Sequence, residues 1–188
     1  RNPYGDGGQC AAKCTAADYP HTGDGYKSCN GYTTPVTVWR ASSYRPEFNT
    51  SYRYKLINSQ TKMALDVRSW SKDDGAVLQQ WPYSGGTNQL FKIELVASST
   101  WRLVSVHSGK VITGTSLTAG STAKQYGYRD DNAYEWGVDD HNGHFKLANK
   151  ASKHVLQVPS GNYAKGTATQ TGIYGGTANQ DWDIIAVP

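Results

Sequence analysis

Four side chains of unlike chemistry fall within one short stretch, LDVRSWSKDDGAVLQQWPYSGGTNQLF at 65–91: Asp66, Gln79, Trp81 and Asn88. They supply a carboxylate, two amides and a flat aromatic face, separated by Gly-rich turns, and none is a nucleophile. Elsewhere the chain offers little for catalysis. His141-Asn142-Gly143-His144 beside Asp139 and Asp140 is the one compact cluster of titratable groups. It reads as a polar hairpin rather than a metal site. Cys10, Cys14 and Cys29 with His21 could suggest zinc, but their Gly-, Asp- and Pro-rich surroundings fit a disulfide better. No Gly-x-Ser-x-Gly or His-Glu-x-x-His occurs. Glutamate is limited to Glu47, Glu94 and Glu135, and the last two fall in scaffold strands, which disfavours a paired-carboxylate glycosidase. The expectation is a protein that binds rather than transforms, with no cofactor and no metal.

The frame that positions these groups is polar but weakly charged. Of 188 residues only 18% are charged, and the net charge of +4 is spread without any Lys/Arg run. Nucleic-acid binding wants a concentrated basic face, so no nucleic-acid partner is expected. No apolar run approaches the ~20 residues of a membrane-spanning helix. Gly, Ser, Thr, Asn and Tyr are abundant, as in a β protein with many turns.

A threefold repeat organises most of the chain. Tyr54-Lys-Leu56, Trp101-Arg-Leu103 and Phe145-Lys-Leu147 recur at steps of 47 and 44 residues, and Phe91, Trp136 and Trp182 at 45 and 46. Between them lie ALDV, VITG and VLQV, then GAVLQ, GSTAK and GTATQ. Such a period marks a repeat architecture. Each unit reads as four short strands, in the first near 53–58, 63–67, 76–81 and 90–94, with Leu56, Leu65, Leu78 and Phe91 inward. No amphipathic helix of three turns appears. One four-strand unit cannot bury its apolar face alone, so three must pack about a common axis. The predicted fold is all-β: a β-trefoil of three ~45-residue repeats at about 52–97, 98–141 and 142–188, six strands closing a barrel and six capping it. Three propeller blades would not close a ring.

This pattern resembles the ricin B-chain lectin family, shared with carbohydrate-binding modules of family thirteen. The resemblance spans 52–188 and rests on QQW at 79–81, LDV at 65–67 and NQLF at 88–91, with NQDW at 179–182 in the third repeat. The step from Gln170 to Asn179 is the nine residues that separate Gln79 from Asn88. The resemblance implies carbohydrate binding, to galactose- or xylose-type glycans, mainly through the first repeat. Asp66 would accept from adjacent sugar hydroxyls with charge-assisted strength, and Asn88 would donate to one. Trp81 would cover the C–H face of the ring, with Gln79 as a side contact, while Gln89 would serve the scaffold. Asp66 is expected at a pocket rim. The second repeat departs from the pattern, with Thr113 for the aspartate, Lys124 for Gln79 and Tyr126 as its aromatic. The third has Gln157 and Gly172 where the first has Asp66 and Trp81; a weaker site there would use Gln157, Gln170, Tyr174 and Asn179. The alternatives are a non-lectin trefoil for protein interaction or toxin delivery, and a targeting module of a glycoside hydrolase.

Residues 1–51 lie outside the repeat, as an irregular extension of unknown role with one strand-like run at 34–39. Disulfide pairing is expected between Cys29 and Cys10 or Cys14, favouring Cys14, with the third thiol free or joining a partner chain as a disulfide-linked dimer or partner subunit. These cysteines, and the sequon Asn49-Thr50-Ser51, suggest a secreted protein.

Overall fold

In the computed structural model the described residues are 26–29 and 32–35, as backbone, together with 46–97, 99–114 and 116–187. The chain divides into two units, Arg1–Asn49 and Thr50–Pro188. In the first, β1 (Tyr26–Cys29) and β2 (Tyr32–Pro35) pair antiparallel, with Cys29 opposite Tyr32. The sequence predicts one strand at 34–39, and β1 is additional. Its signal is Asn30-Gly31, the residue pair that favours a two-residue hairpin turn. Cys10, Cys14, His21 and the side chain of Cys29 lie outside the described residues, and the disulfide expectation with them.

The second unit is the β-trefoil. The first repeat comprises β3 (Arg53–Asn58), β4 (Ala64–Val67), β5 (Leu78–Trp81) and β6 (Phe91–Ala97). The second comprises β7 (Thr100–Ser105), β8 (Val111–Gly114), β9 (Ala123–Tyr126) and β10 (Trp136–His141), and the third β11 (His144–Asn149), β12 (Val155–Gln157), β13 (Gln170–Gly172) and β14 (Trp182–Val187). The first and fourth strands of the repeats close a six-strand antiparallel barrel. β3 pairs with β6, β6 with β7, β7 with β10, β10 with β11, β11 with β14, and β14 returns to β3. Three hairpins, β4–β5, β8–β9 and β12–β13, cap it. Isolated bridges at Val77–Lys124, Gln79–Ala168 and Thr122–Gln170 tie the hairpins in a ring. Every helical element among the described residues is a three-residue 3-10 turn.

The anchors that reveal the repeat are its core. Leu56, Leu65, Leu78, Phe91, Trp136 and Trp182 are fully buried, each worth about 1.5–3 kcal/mol in removal of apolar surface from water. The two tryptophans satisfy their indole N–H groups on Ile112 O and Leu156 O, both at 2.9 Å. Burial alternates along β3, β7 and β11, so the apolar face sits inward. Polar side chains then join neighbouring repeats. Gln80 Nε2 donates to Asn162 O and Ala164 O, Gln125 Nε2 to Ser71 O and Asp73 O, and Thr171 Oγ1 to Ser121 O. The first repeat thus grips the third, the second grips the first, and the third grips the second.

Candidate functional site

Antiparallel pairing of β4 with β5 sets Asp66 directly opposite Gln79 and Ala64 opposite Trp81. Successive side chains alternate faces, so Gln79 and Trp81 share one, and small, buried Ala64 leaves room beside the indole. The 3-10 turn Thr87–Gln89 delivers Asn88 from the other side. Asp66 Oδ1 accepts from Gln79 Nε2 at 2.8 Å, and Oδ2 accepts from Asn88 Nδ2 at 2.8 Å. Asn88 Nδ2 also donates to Val67 O at 3.2 Å. Three of the four sequence-predicted residues are thereby joined in one hydrogen-bonded unit. Trp81 stands alongside, 36% exposed.

Asp66 is only 4% exposed, so the expected rim position is corrected. Two amides, from residues 13 and 22 positions away, roof a carboxylate that polarity alone would leave in water. Burial raises its pKa above the ordinary 3.8, opposed by the amides of Gln79, Gln89 and Asn88 and by the charge of Arg68. A carboxylate has about four acceptor positions; the Gln79 and Asn88 bonds use two, and the Gln89 amide also acts on the group. The remaining lone pairs can receive hydroxyl donors.

Residues that sequence reasoning missed complete the surroundings. Arg68 Nε donates to Gln79 Oε1 and its Nη2 to Gly166 O, both at 2.8 Å. The third repeat therefore borders the first pocket. Gly166 lies against the indole of Trp81, and Lys165 Nζ sits 5.3 Å from that ring's centroid. No local signal announces these contacts, since they exist only once the repeats close. Trp70, 53% exposed, follows β4 on a kink with left-handed backbone at Ser69 (φ 56°) and Trp70 (φ 53°). His107 of the second repeat holds it, with Nε2 2.7 Å from Trp70 O and the rings edge-to-face at 5.1 Å.

The other two repeats fill the corresponding space differently. Thr113 is opposite Lys124 on β8–β9, and its hydroxyl donates to Ala133 O at 2.8 Å. Counted back from Trp136 as Asn88 is from Phe91, Ala133 occupies the asparagine position, and Asn132 falls one residue early. In the third repeat Gln157 is opposite Gln170, and Gln157 Oε1 accepts from Gln180 Nε2 at 2.8 Å. A side chain at Gly172 would overlap the Gln157 amide, so Gln157 takes the volume beside that strand. Asn179 Nδ2 donates to Val158 O at 2.8 Å, as Asn88 does to Val67 O. Tyr174 lies against β10 and β11, edge-on to His141 at 5.5 Å and 5.1 Å from Lys146 Nζ. Its counterparts are Tyr83 over Lys55 and Tyr128 over Arg102, not Trp81. Gln89 and Gln180 hold their own loops. Gln89 receives Ser84 N and donates to Pro82 O, and Gln180 receives Gly175 N and donates to Ile173 O.

His141 and His144 close the β10–β11 hairpin through Asn142 and Gly143, both at positive φ. Each then meets the last repeat: His141 Nδ1 lies 3.1 Å from Asp181 Oδ2, and His144 Nδ1 2.6 Å from Asp183 Oδ1. Among the described residues no three His, Cys, Asp or Glu side chains converge as metal ligands, and no helix is long and apolar enough to cross a membrane.

Comparison with known proteins places this geometry. Over 75 residues the chain is 37% identical to the clotting factor G alpha subunit of Tachypleus tridentatus, covering 38% of this chain but only 11% of that subunit. The designed threefold-symmetric protein ThreeFoil superposes with a TM-score of 0.70 at 31% identity, over 72% of this chain and 99% of its own. The ricin B-like lectin of Macrolepiota procera, solved in complex with lactose, gives 0.63 at 19% identity, over 74% and 98%. The ricin-type beta-trefoil lectin domain-like family matches residues 37–128 and 130–188, and the chain belongs to that family.

Proposed function

We propose that the chain binds carbohydrate through a single pocket in its first repeat, built from Asp66, Gln79, Trp81 and Asn88, and that it takes galactose- or xylose-type units. The observation that carries this reading is a buried carboxylate, held by the Gln79 and Asn88 amides, beside a part-exposed indole. A sugar matches both: its vicinal hydroxyls donate in fixed geometry, and one ring face is a patch of C–H groups. The Macrolepiota lectin of the same fold holds lactose. The second and third repeats lack the carboxylate, and Thr113 and Gln157 in its place engage Ala133 O and Gln180 Nε2, so neither is given a working site. Titration calorimetry with galactose, lactose, xylose and xylobiose tests this. Binding near one equivalent per chain, lost in Asp66→Asn, is expected; a stoichiometry near three refutes it.

A second reading has its own support. A 75-residue stretch, 38% of the chain, matches 11% of a clotting factor subunit, which suits a binding module that directs another domain to a glycan. Secretion follows from either reading, since external glycans are the ligands.

A further inference from the structure

We propose that Trp70 is a second sugar-binding platform that makes the first-repeat site a reader of at least two consecutive sugar units; this rests on the pocket reading above. The conformation of Trp70 is the first reason. At φ 53°, next to Ser69 at 56°, it occupies the left-handed region, which costs a non-glycine residue of order 1 kcal/mol or more. The third repeat also turns left-handed four residues after Gln157, at Gly161 (φ 73°), although Ser160 before it does not share the left-handed backbone of Ser69. A glycine suffices for the turn, so a tryptophan there is explained by its side chain and not by the backbone.

The side chain is placed, not loose. His107 holds its carbonyl and packs edge-on to its ring. A Cβ at Gly86 would overlap both the six-membered ring of Trp70 and Asn88 Oδ1. The ring therefore rests on a glycine next to the pocket's asparagine. Yet 53% of Trp70 stays in water, a large apolar surface held still and uncovered.

Position relative to Asp66 supplies the direction. The carboxylate's Oδ1 faces Gln79, which leads along β5 to Trp81; its Oδ2 faces Asn88, which leads to Gly86 and Trp70. The two exposed indoles are thus linked to the carboxylate through different partners, Trp81 through the Gln79 strand and Trp70 through Gly86 and Asn88. Asn88 Oδ1, buried on the Trp70 side, has no donor in the protein. A sugar held by Asp66 and Trp81 would direct its linked neighbour toward Trp70.

The test compares each monosaccharide with its dimer: galactose against lactose and β-1,3-galactobiose, and xylose against xylobiose. Wild type is compared with Trp70→Gly, Trp70→Tyr and His107→Ala. Trp70→Gly adopts the conformation Gly161 already uses, so its melting temperature should hold. Wild type should prefer a disaccharide by about tenfold, in line with one aromatic contact. That ratio should collapse toward one in Trp70→Gly, survive in Trp70→Tyr and fall partway in His107→Ala. A preference that persists in Trp70→Gly, no preference in wild type, or equal losses for monomer and dimer in Trp70→Gly would each overturn the second platform while leaving the Asp66 pocket standing. Absence of binding to every sugar by wild type would instead overturn the pocket reading, and this one with it.

Discussion

Replacing Asp66 separates what the fold needs from what the ligand needs. Asp66→Ala deletes both acceptors at once. Asn88 Nδ2 keeps Val67 O, but Gln79 Nε2 loses its only partner. A buried unsatisfied donor costs about 1–3 kcal/mol, offset in part because a charge disfavoured by burial is removed. A net loss of about 1–2 kcal/mol, at roughly 3–5 °C per kcal/mol for a unit of this size, lowers the melting temperature by about 3–10 °C. Asp66→Asn keeps the volume and one acceptor but turns its NH2 toward Gln79 Nε2 or Asn88 Nδ2, so it should also be destabilised, by less than Asp66→Ala because the other amide keeps its partner. Binding should respond otherwise. Each hydrogen bond to the carboxylate contributes about 1.5–3 kcal/mol, and two such bonds approach the whole −4 to −6 kcal/mol of a shallow site with a Kd of roughly millimolar to tens of micromolar. Both variants should show no measurable sugar binding by calorimetry, and Asp66→Ala should melt earlier than Asp66→Asn by scanning fluorimetry. Wild-type affinity in Asp66→Asn would refute the reasoning. Acidification should act alike: with the folded pKa raised, the group's contribution to stability is complete below the unfolded value and lost as pH rises through the folded one. Lowering the pH toward that folded value should therefore weaken binding without this group unfolding the protein.

Further outcomes follow from the same geometry. Trp81→Ala should cut affinity at least several-fold and also lower the melting temperature, because the ring packs on Gly166 of the third repeat; calorimetry and melting read the two effects. Thr113→Ala and Gln157→Ala should leave sugar stoichiometry and affinity unchanged, and a drop in stoichiometry in either would reveal a second working site. Thiol titration under denaturing conditions should find one free thiol, with Cys29 bound to Cys14; three free thiols in freshly secreted protein would exclude the disulfide. The chain alone should hydrolyse no chromogenic glycoside above background, and chelator-sensitive turnover would bring His141 and His144 back into question.

The trefoil was legible because its anchors obey one physical demand three times. Phe91, Trp136 and Trp182 each fill the barrel core, and a core position repeated by symmetry cannot drift in spacing or character. The pocket residues were legible in type and register, since strand pairing sets Gln79 opposite Asp66. Their environment was not. Whether Asp66 lies in water or under two amides depends on the turn that brings Asn88 back, and the bond from Arg68 to Gly166 depends on closure of the whole ring. Tyr174 shows a different limit. It looks like a displaced platform when aligned to Trp81, whereas the tyrosine–cation pairs at 83 and 55, 128 and 102, and 174 and 146 reveal it as part of a regular scaffold feature.

The three repeats give three answers to one polar position, buried in the first two and half-buried in the third. Thr113 satisfies it with a hydroxyl on a main-chain carbonyl, and Gln157 with an amide that also takes up the space beside Gly172. Neither carries charge, so the scaffold can be completed at this point without an ion. Asp66 keeps a carboxylate there against the cost of desolvation, with its pKa pushed up and only part of its acceptor capacity used. A disfavoured charge retained where the same fold offers two neutral solutions supports the proposal that this position serves a ligand. On the proposed reading, function is asymmetric on a symmetric frame. One repeat bears the desolvated charge while its neighbours supply stability and, through His107, Lys165 and Gly166, the walls around it. A single weak pocket of this kind gains useful affinity when the glycan or the surrounding protein presents several copies, and that fits the module reading as readily as the free lectin.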